Sequence, residues 1–158
     1  MRKDLAILAT GFLLTVGAPA VSGPLHAQAL APDTSWVRRS VLYEIYVQDF
    51  SESGDLRGVI AGLDRIQSAC ADVLWLMPIH PSPSYHGYDV TDYYAVNPEY
   101  GTMEDFKRLL DEAHKRDFRI ILDLVVNHTS NQHPFFAAAR DANSETHDWY
   151  IWRDAAPN

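Results

Sequence analysis

The chain has 158 residues, of which 47% are hydrophobic and 22% are charged, and its formal net charge at pH 7 is −8. This balance is typical of a globular domain and argues against disorder. The acidic charge argues against nucleic acid or an anionic membrane surface as a partner, whereas a neutral polar substrate is compatible with it. The single cysteine, Cys70, excludes an intrachain disulfide and is expected to be a small buried hydrophobe rather than a reactive thiol.

The first 29 residues have the pattern of a secretory signal peptide. Two basic residues precede an apolar run over residues 5–18, which is too short to span a bilayer comfortably. Small residues follow, and Ala27-Gln28-Ala29 fits an A-x-A cleavage site. A membrane anchor is the alternative, which the short, glycine-interrupted run disfavours. We expect a secreted or periplasmic chain with no membrane contact after cleavage.

After a polar lead-in over residues 30–40, predicted strands alternate with predicted helices. Apolar and β-branched runs predict strands over residues 41–47, 73–77 and 118–126. Asp55 and Thr102 are each placed to cap a helix whose apolar residues recur at spacings of three and four. This alternation predicts a parallel sheet. Three strands and two helices leave sheet edges and one face uncovered, so partner chains or further chain are expected to cover them.

Three segments follow the predicted strands, and ligands of parallel α/β folds bind at this carboxyl edge. The segment over residues 79–100 is too long for an ordinary connection, which is typical of a functional loop. It places Tyr88 after a glycine, and a flat aromatic face suits the apolar side of a sugar ring. The pattern alone leaves open the alternative that its tyrosines only pack the loop.

A carboxylate, an amide and an imidazole lie close together in the third predicted strand and its end. Asp123 lies inside the predicted strand, where burial is costly unless the carboxylate is paired, so it could support an active-site cluster. A solvated Asp on an irregular strand end is the alternative. His128 could be a ligand-binding donor or an ordinary loop histidine. No zinc spacing, nucleophile elbow or phosphate-binding glycine loop occurs in the sequence.

Taken together, four segments resemble the α-amylase family of glycoside hydrolases, the large retaining (β/α)8-barrel family. In chain order they match its first strand, first helix, second strand and third strand: Val41-Leu42-Tyr43-Glu44-Ile45-Tyr46-Val47, Gly54-Asp55-Leu56-Arg57-Gly58, Trp75-Leu76-Met77-Pro78-Ile79 and Asp123-Leu124-Val125-Val126-Asn127-His128. The resemblance covers roughly Ser40 to Asn158. It implies an α/β fold in which residues 41–127 form the N-terminal part of a TIM barrel, strands 1–3, and residues 128–158 begin an inserted domain B.

The resemblance also implies roles for individual residues. Tyr88 matches the aromatic residue that stacks on the sugar at subsite −1, and His128 matches the histidine that hydrogen-bonds the same sugar. His86 lies where many α-amylases carry another sugar-contacting histidine. Asp123 matches a carboxylate that orders the catalytic centre, and Asn127 matches a calcium ligand between the barrel and domain B. Calcium, which prefers oxygen ligands, is therefore an expected cofactor.

The implied function is a secreted α-amylase-type glycoside hydrolase that binds an α-1,4-glucan or an oligosaccharide. α-Glucosidases and trehalose synthases usually carry an Asp where this chain has Tyr85, so Tyr85-His86-Gly87-Tyr88 resembles the endo-acting α-amylases. An α-glucosidase or a trehalose-synthase-like glucosyltransferase is the runner-up. A non-catalytic carbohydrate-binding protein is the alternative from another class. Residues 51–54 are too few and too poor in acids to form the calcium loop of some relatives.

The catalytic carboxyl groups that the family uses have no match in the sequence. Retaining hydrolysis needs two carboxyl groups about 5–5.5 Å apart. In the family, the nucleophile Asp, the acid Glu and a stabilising Asp follow the fourth, fifth and seventh strands. The sequence stops before the fourth strand, and none of its 21 acidic residues matches those positions. We therefore expect a fragment that lacks the catalytic Asp/Glu/Asp and is inactive alone.

Overall fold

A computed structural model describes residues 34–154. In chain order, the elements are a 3-10 turn Ser35–Arg38, β1 Leu42–Ile45, α1 Val47–Phe50, α2 Leu56–Ala61, α3 Leu63–Ser68, β2 Val73–Leu76, α4 Met103–His114, β3 Arg119–Leu122, α5 Pro134–Ala139 and a 3-10 turn His147–Trp149. The signal peptide predicted over residues 1–29 lies outside the described residues. None of the helices within residues 34–154 has the length and apolarity needed to cross a membrane.

The three strands form one parallel sheet in the order β1-β2-β3, as the alternation of strands and helices predicts. The central strand β2 is the most buried, which agrees with its uninterrupted apolar run. The last residues of the strands, Ile45, Leu76 and Leu122, are aligned partners across the sheet. The segments after the three strands therefore begin side by side at one edge.

The outer strands are shorter than the sequence predicts. The prediction of a strand over residues 41–47 is wrong at its end, because the chain enters α1 at Val47. The predicted strand over residues 118–126 ends at Leu122. The backbone N–H of Asp123 still donates to the Leu76 carbonyl at 3.0 Å, but the chain leaves the sheet beyond it. Asp123 thus lies just after β3 rather than inside a strand.

The first predicted helix is divided at Gly62 into α2 and α3. A Cβ at residue 62 would come within 2.6 Å of the Phe50 ring, so glycine allows that ring to pack at the division. The predicted apolar face is largely confirmed, because its members are buried or partly buried against the core: Leu56, Val59, Ile60, Leu63 and Ile66. Asp55 caps α2 as predicted, accepting a 2.7 Å hydrogen bond from the backbone N–H of Gly58.

The expectation that Cys70 is buried is wrong, because its side chain is exposed. Cys70 lies in the turn after α3 with a φ of 58°, and its backbone N–H donates to the Gln67 carbonyl at 2.9 Å. The turn that ends α3 therefore places this residue outside the apolar face of the helix.

Helix α4 begins with the capping box that Thr102 and Asp105 predict. The Thr102 hydroxyl accepts from the Asp105 N–H, and the Asp105 carboxylate accepts from the Thr102 N–H. The same carboxylate pairs with Arg57 of α2 at 2.8 Å. Hydrogen bonds from Arg57 and then from Thr102 lower the pKa of Asp105 to about 2. The cap therefore also ties the two helices together.

Candidate functional site

The segments after β2 and β3 meet at the carboxyl edge of the sheet, and Asp123 lies at their junction. The Tyr88 hydroxyl donates to Asp123 Oδ2 at 2.5 Å. The Trp75 indole Nε1–H of β2 donates to Asp123 Oδ1 at 2.7 Å. Both carboxylate oxygens therefore have a donor, as a partly buried carboxylate requires. Asp123 is therefore not a carboxylate bonded only to solvent, which was the alternative that the sequence left open.

Tyr88 is held at this edge by its hydroxyl. The hydrogen bond to Asp123, then burial, and then the charges of Asp123 and Glu44 raise the pKa of Tyr88 to about 12. The phenol consequently remains a neutral donor at physiological pH. This single hydrogen bond fixes the far end of the ring, so that the ring cannot swing away from the cleft without leaving Asp123 short of a donor.

His128 contacts the backbone of the same tyrosine. Its Nε2 lies 3.1 Å from the backbone carbonyl oxygen of Tyr88. A carbonyl oxygen only accepts, so His128 Nε2 carries the proton and Nδ1 is an acceptor in the neutral ring. The side chain is exposed. In this geometry the neutral ring of His128 offers a ligand an acceptor at Nδ1.

A cleft of about 320 Å³ opens at this junction and is lined by Trp75, Tyr88 and residues 123–127. Among these described lining residues, Asp123 is the only carboxylate. Asn127 also lines a neighbouring hollow of about 510 Å³, together with Val126, His128, Thr129, Phe135, Phe136, Trp149, Tyr150 and Ile151. The structure therefore brings Tyr88, Asp123, Asn127 and His128 to adjoining surfaces.

His86 lies beside the cleft rather than in its lining. Its Nδ1 accepts the backbone N–H of Tyr88 at 3.1 Å, and the two rings are 6.0 Å apart between centroids. The intervening Gly87 has a φ of +79°, and a Cβ there would come within 3.1 Å of the Pro78 carbonyl oxygen. Glycine at this position therefore lets the loop lie close to the end of β2 while His86 supports the backbone of Tyr88.

Trp75 is a site residue that the sequence does not reveal as one. It belongs to an apolar run, which predicts a buried strand and nothing more. The sequence offers one indication of this role, which is that a buried indole N–H usually needs a hydrogen-bond acceptor. Only the pairing of β2 with β3 shows that this acceptor is Asp123.

The predicted calcium site has one candidate ligand in the described structure. Asn127 is exposed, and its amide oxygen is a chemically suitable ligand. Calcium takes six to eight oxygen ligands. Within residues 34–154, no group of three or more His, Cys, Asp or Glu side chains is placed to hold a metal ion. The described acidic and imidazole groups do not complete a site around Asn127, and calcium binding stays a prediction.

Known proteins with related sequences and structures cover most of this chain. A family model described as the α-amylase catalytic domain matches residues 35–158. Alpha-amylase 3 of Dictyoglomus thermophilum is 51% identical over 128 residues, which are 77% of this chain and 26% of that protein. Trehalose-6-phosphate hydrolase of Bacillus subtilis is 48% identical over 132 residues, which are 79% of this chain and 24% of that protein.

A solved structure agrees with these sequence matches. The α-amylase from H. orenii superposes with a TM-score of 0.68 at 48% identity, covering 75% of this chain and 27% of that one. The chain spans about a quarter of the length of the relatives it matches. With a matching catalytic-domain model over nearly all described residues, the chain belongs to the α-amylase family of glycoside hydrolases, and its parallel sheet is the N-terminal part of that family's TIM barrel.

Proposed function

We propose that this chain forms the sugar-binding edge of a secreted α-amylase-type enzyme that acts on α-1,4-glucans. The observation that carries the proposal is that Tyr88, which lines a cleft, is hydrogen-bonded by both Asp123 and His128. A fixed aromatic face next to a carboxylate and an imidazole supplies both interactions that a sugar ring makes. Its C–H face stacks on the aromatic ring, and its hydroxyl groups find hydrogen-bonding partners.

Secretion rests on the N-terminal sequence pattern over residues 1–29. The preference for an endo-acting enzyme rests on Tyr85, which stands where exo-acting relatives usually carry an Asp. Its side chain is 80% exposed, and its carbonyl oxygen accepts a hydrogen bond from the Tyr46 hydroxyl. An exposed aromatic ring three residues before Tyr88 supports contact with a longer glucan, whereas a carboxylate there would favour a terminal sugar.

A glycosidase or glucosyltransferase acting on a disaccharide is the second candidate. The relative named trehalose-6-phosphate hydrolase is nearly as similar to this chain as the relative named α-amylase. The overall identity therefore does not separate the two specificities, and the choice between them rests on Tyr85.

Sugar binding by the 158-residue chain tests the proposal. Maltotriose, trehalose and sucrose are titrated while protein NMR signals or binding heats are followed. We expect maltotriose to bind most tightly, and Tyr88→Ala to weaken it about tenfold, because stacking on an aromatic ring contributes roughly 0.5–1.5 kcal/mol and 1.4 kcal/mol is tenfold. Tyr94→Ala is the matched control, since the Tyr94 side chain is 89% exposed and lies in the same loop.

Circular dichroism of both variants confirms that the fold is retained. Equal maltotriose affinity for the original chain and for Tyr88→Ala would contradict the stacking role. Tighter binding of trehalose than of maltotriose would favour the disaccharide-specific candidate.

A further inference from the structure

The backbone that carries His128 has left the sheet and needs hydrogen-bonding partners from elsewhere. After β3 ends at Leu122, residues 123–129 form neither helix nor strand. Val125 is nevertheless only 7% exposed. Buried backbone carbonyls are almost always paired, so this segment depends on a donor outside the sheet ladder.

Tyr93 supplies that donor. Its hydroxyl lies 2.7 Å from the carbonyl oxygen of Val125 and 3.0 Å from the carbonyl oxygen of His128. A phenol has one proton, so it is shared between two carbonyls that flank Asn127. The Tyr93 ring is itself braced by two histidine rings, with centroid distances of 5.8 Å to His80 and 5.5 Å to His133.

We infer that Tyr93 is a positioning residue, whose hydroxyl holds the segment 125–128 against the loop that carries Tyr88 and thereby sets the place of His128. The backbone N–H of Ser130 bonds to the Val90 carbonyl at 3.0 Å, so the two segments are also joined just beyond His128. The expected effect of Tyr93 on sugar binding rests on the proposed function, whereas its expected effect on the position of residues 125–128 does not.

The experiment compares Tyr93→Phe with Tyr94→Phe in the 158-residue chain. Tyr93→Phe keeps the ring and its packing and removes only the shared hydrogen bond. Hydrogen exchange is read at Ser130, whose N–H crosses between the two segments, and at Asp123, whose N–H donates to Leu76 within the sheet register. We expect Tyr93→Phe to lower the protection of Ser130 about fivefold, as the loss of one ordinary hydrogen bond implies.

The protection of Asp123 is expected to stay unchanged, and Tyr94→Phe is expected to change neither amide. Maltotriose affinity is expected to fall about fivefold in Tyr93→Phe and not in Tyr94→Phe. Unchanged protection of the Ser130 amide would overturn the inference. An equal loss of protection at the Ser130 and Asp123 amides would also overturn it, because it would indicate that the whole fold had lost stability. A local loss at Ser130 in a chain that does not bind maltotriose would uphold the positioning role and refute the proposed function.

Discussion

Asp123 is bonded by two neutral side-chain donors, one on each carboxylate oxygen, whereas the carboxylate of Asp105 faces a cation. The phenol of Tyr88 and the indole of Trp75 satisfy its oxygens without neutralising its charge. Asp105, by contrast, faces the cationic Arg57. The measurable consequence of this hydrogen bonding is the raised pKa of the Tyr88 phenol.

Replacing Asp123 by Asn is expected to lower the pKa of Tyr88 from about 12 toward the ordinary value of 10.0, because the variant removes the charged acceptor. Since the pKa of Tyr88 is raised in the folded state, its hydrogen bond to Asp123 stabilises the folded chain below about pH 10. This contribution to the free energy of unfolding is lost as the pH rises toward about 12. Phenolate absorbance against pH measures the shift, and Tyr88→Phe identifies the transition. Superimposable titration curves for Asp123→Asn and the original chain would count against the hydrogen bond.

At the scale of elements, α4 shows how a local cap can also make a tertiary contact. Thr102 and Asp105 close the capping box that their spacing predicts, and Asp105 then reaches Arg57 of α2. The sequence predicts the capping box, because Thr102 and Asp105 are three positions apart. The ion pair joins residues 48 positions apart in the chain and depends on how α2 and α4 pack.

The chain is expected to lose stability as the pH falls from about 3.8 toward about 2, because the pKa of Asp105 is lowered in the folded state and the unfolded state therefore binds the proton first. Asp105→Asn is expected to be less stable near neutral pH and to show a shallower loss across this acid range. Denaturant unfolding at several pH values measures both effects. Asp111→Asn, at an exposed position of the same helix, should behave like the original chain; an identical acid profile for Asp105→Asn would refute the prediction.

At the scale of the whole molecule, the described sheet has three strands, and β1 and β3 each pair on one side only within residues 34–154. The cleft at its carboxyl edge has Asp123 as the sole carboxylate among its described lining residues. Retaining hydrolysis needs a second carboxyl group about 5–5.5 Å away. Both oxygens of Asp123 are already engaged by Trp75 and Tyr88, so it is poorly placed to act as either nucleophile or acid.

We therefore expect the 158-residue chain by itself to release no reducing sugar from starch above the rate of a heat-treated sample, even where it binds maltotriose. A reducing-sugar assay over several hours, with a full-length α-amylase as the positive control, measures this. Starch cleavage that is lost in Tyr88→Ala would show that this chain holds a complete catalytic site.

Local patterns predict the alternation of the three strands with the helices capped by Asp55 and Thr102, and the segment after β2 as a place for the candidate site. These features depend on residues a few positions apart, where hydrophobic spacing and side-chain capping act directly. The break at Gly62 was missed because the spacing of apolar residues continues through it. The exposure of Cys70 is not predicted, because the expectation of burial rests on the usual preference of a free cysteine, whereas a turn sets the position of this one.

The sequence by itself determined that this is the N-terminal part of a parallel barrel of the α-amylase family, and that Tyr88 and His128 follow its strands at the carboxyl edge, whereas the place of Asp123 just after β3 came from the structure. Only the tertiary structure decided which atoms meet there. Trp75 and Asp123 are 48 residues apart, and Tyr88 and Asp123 are 35 residues apart. Contacts over such distances follow from strand register and loop packing, and these are set by burying the whole core rather than by any local pattern.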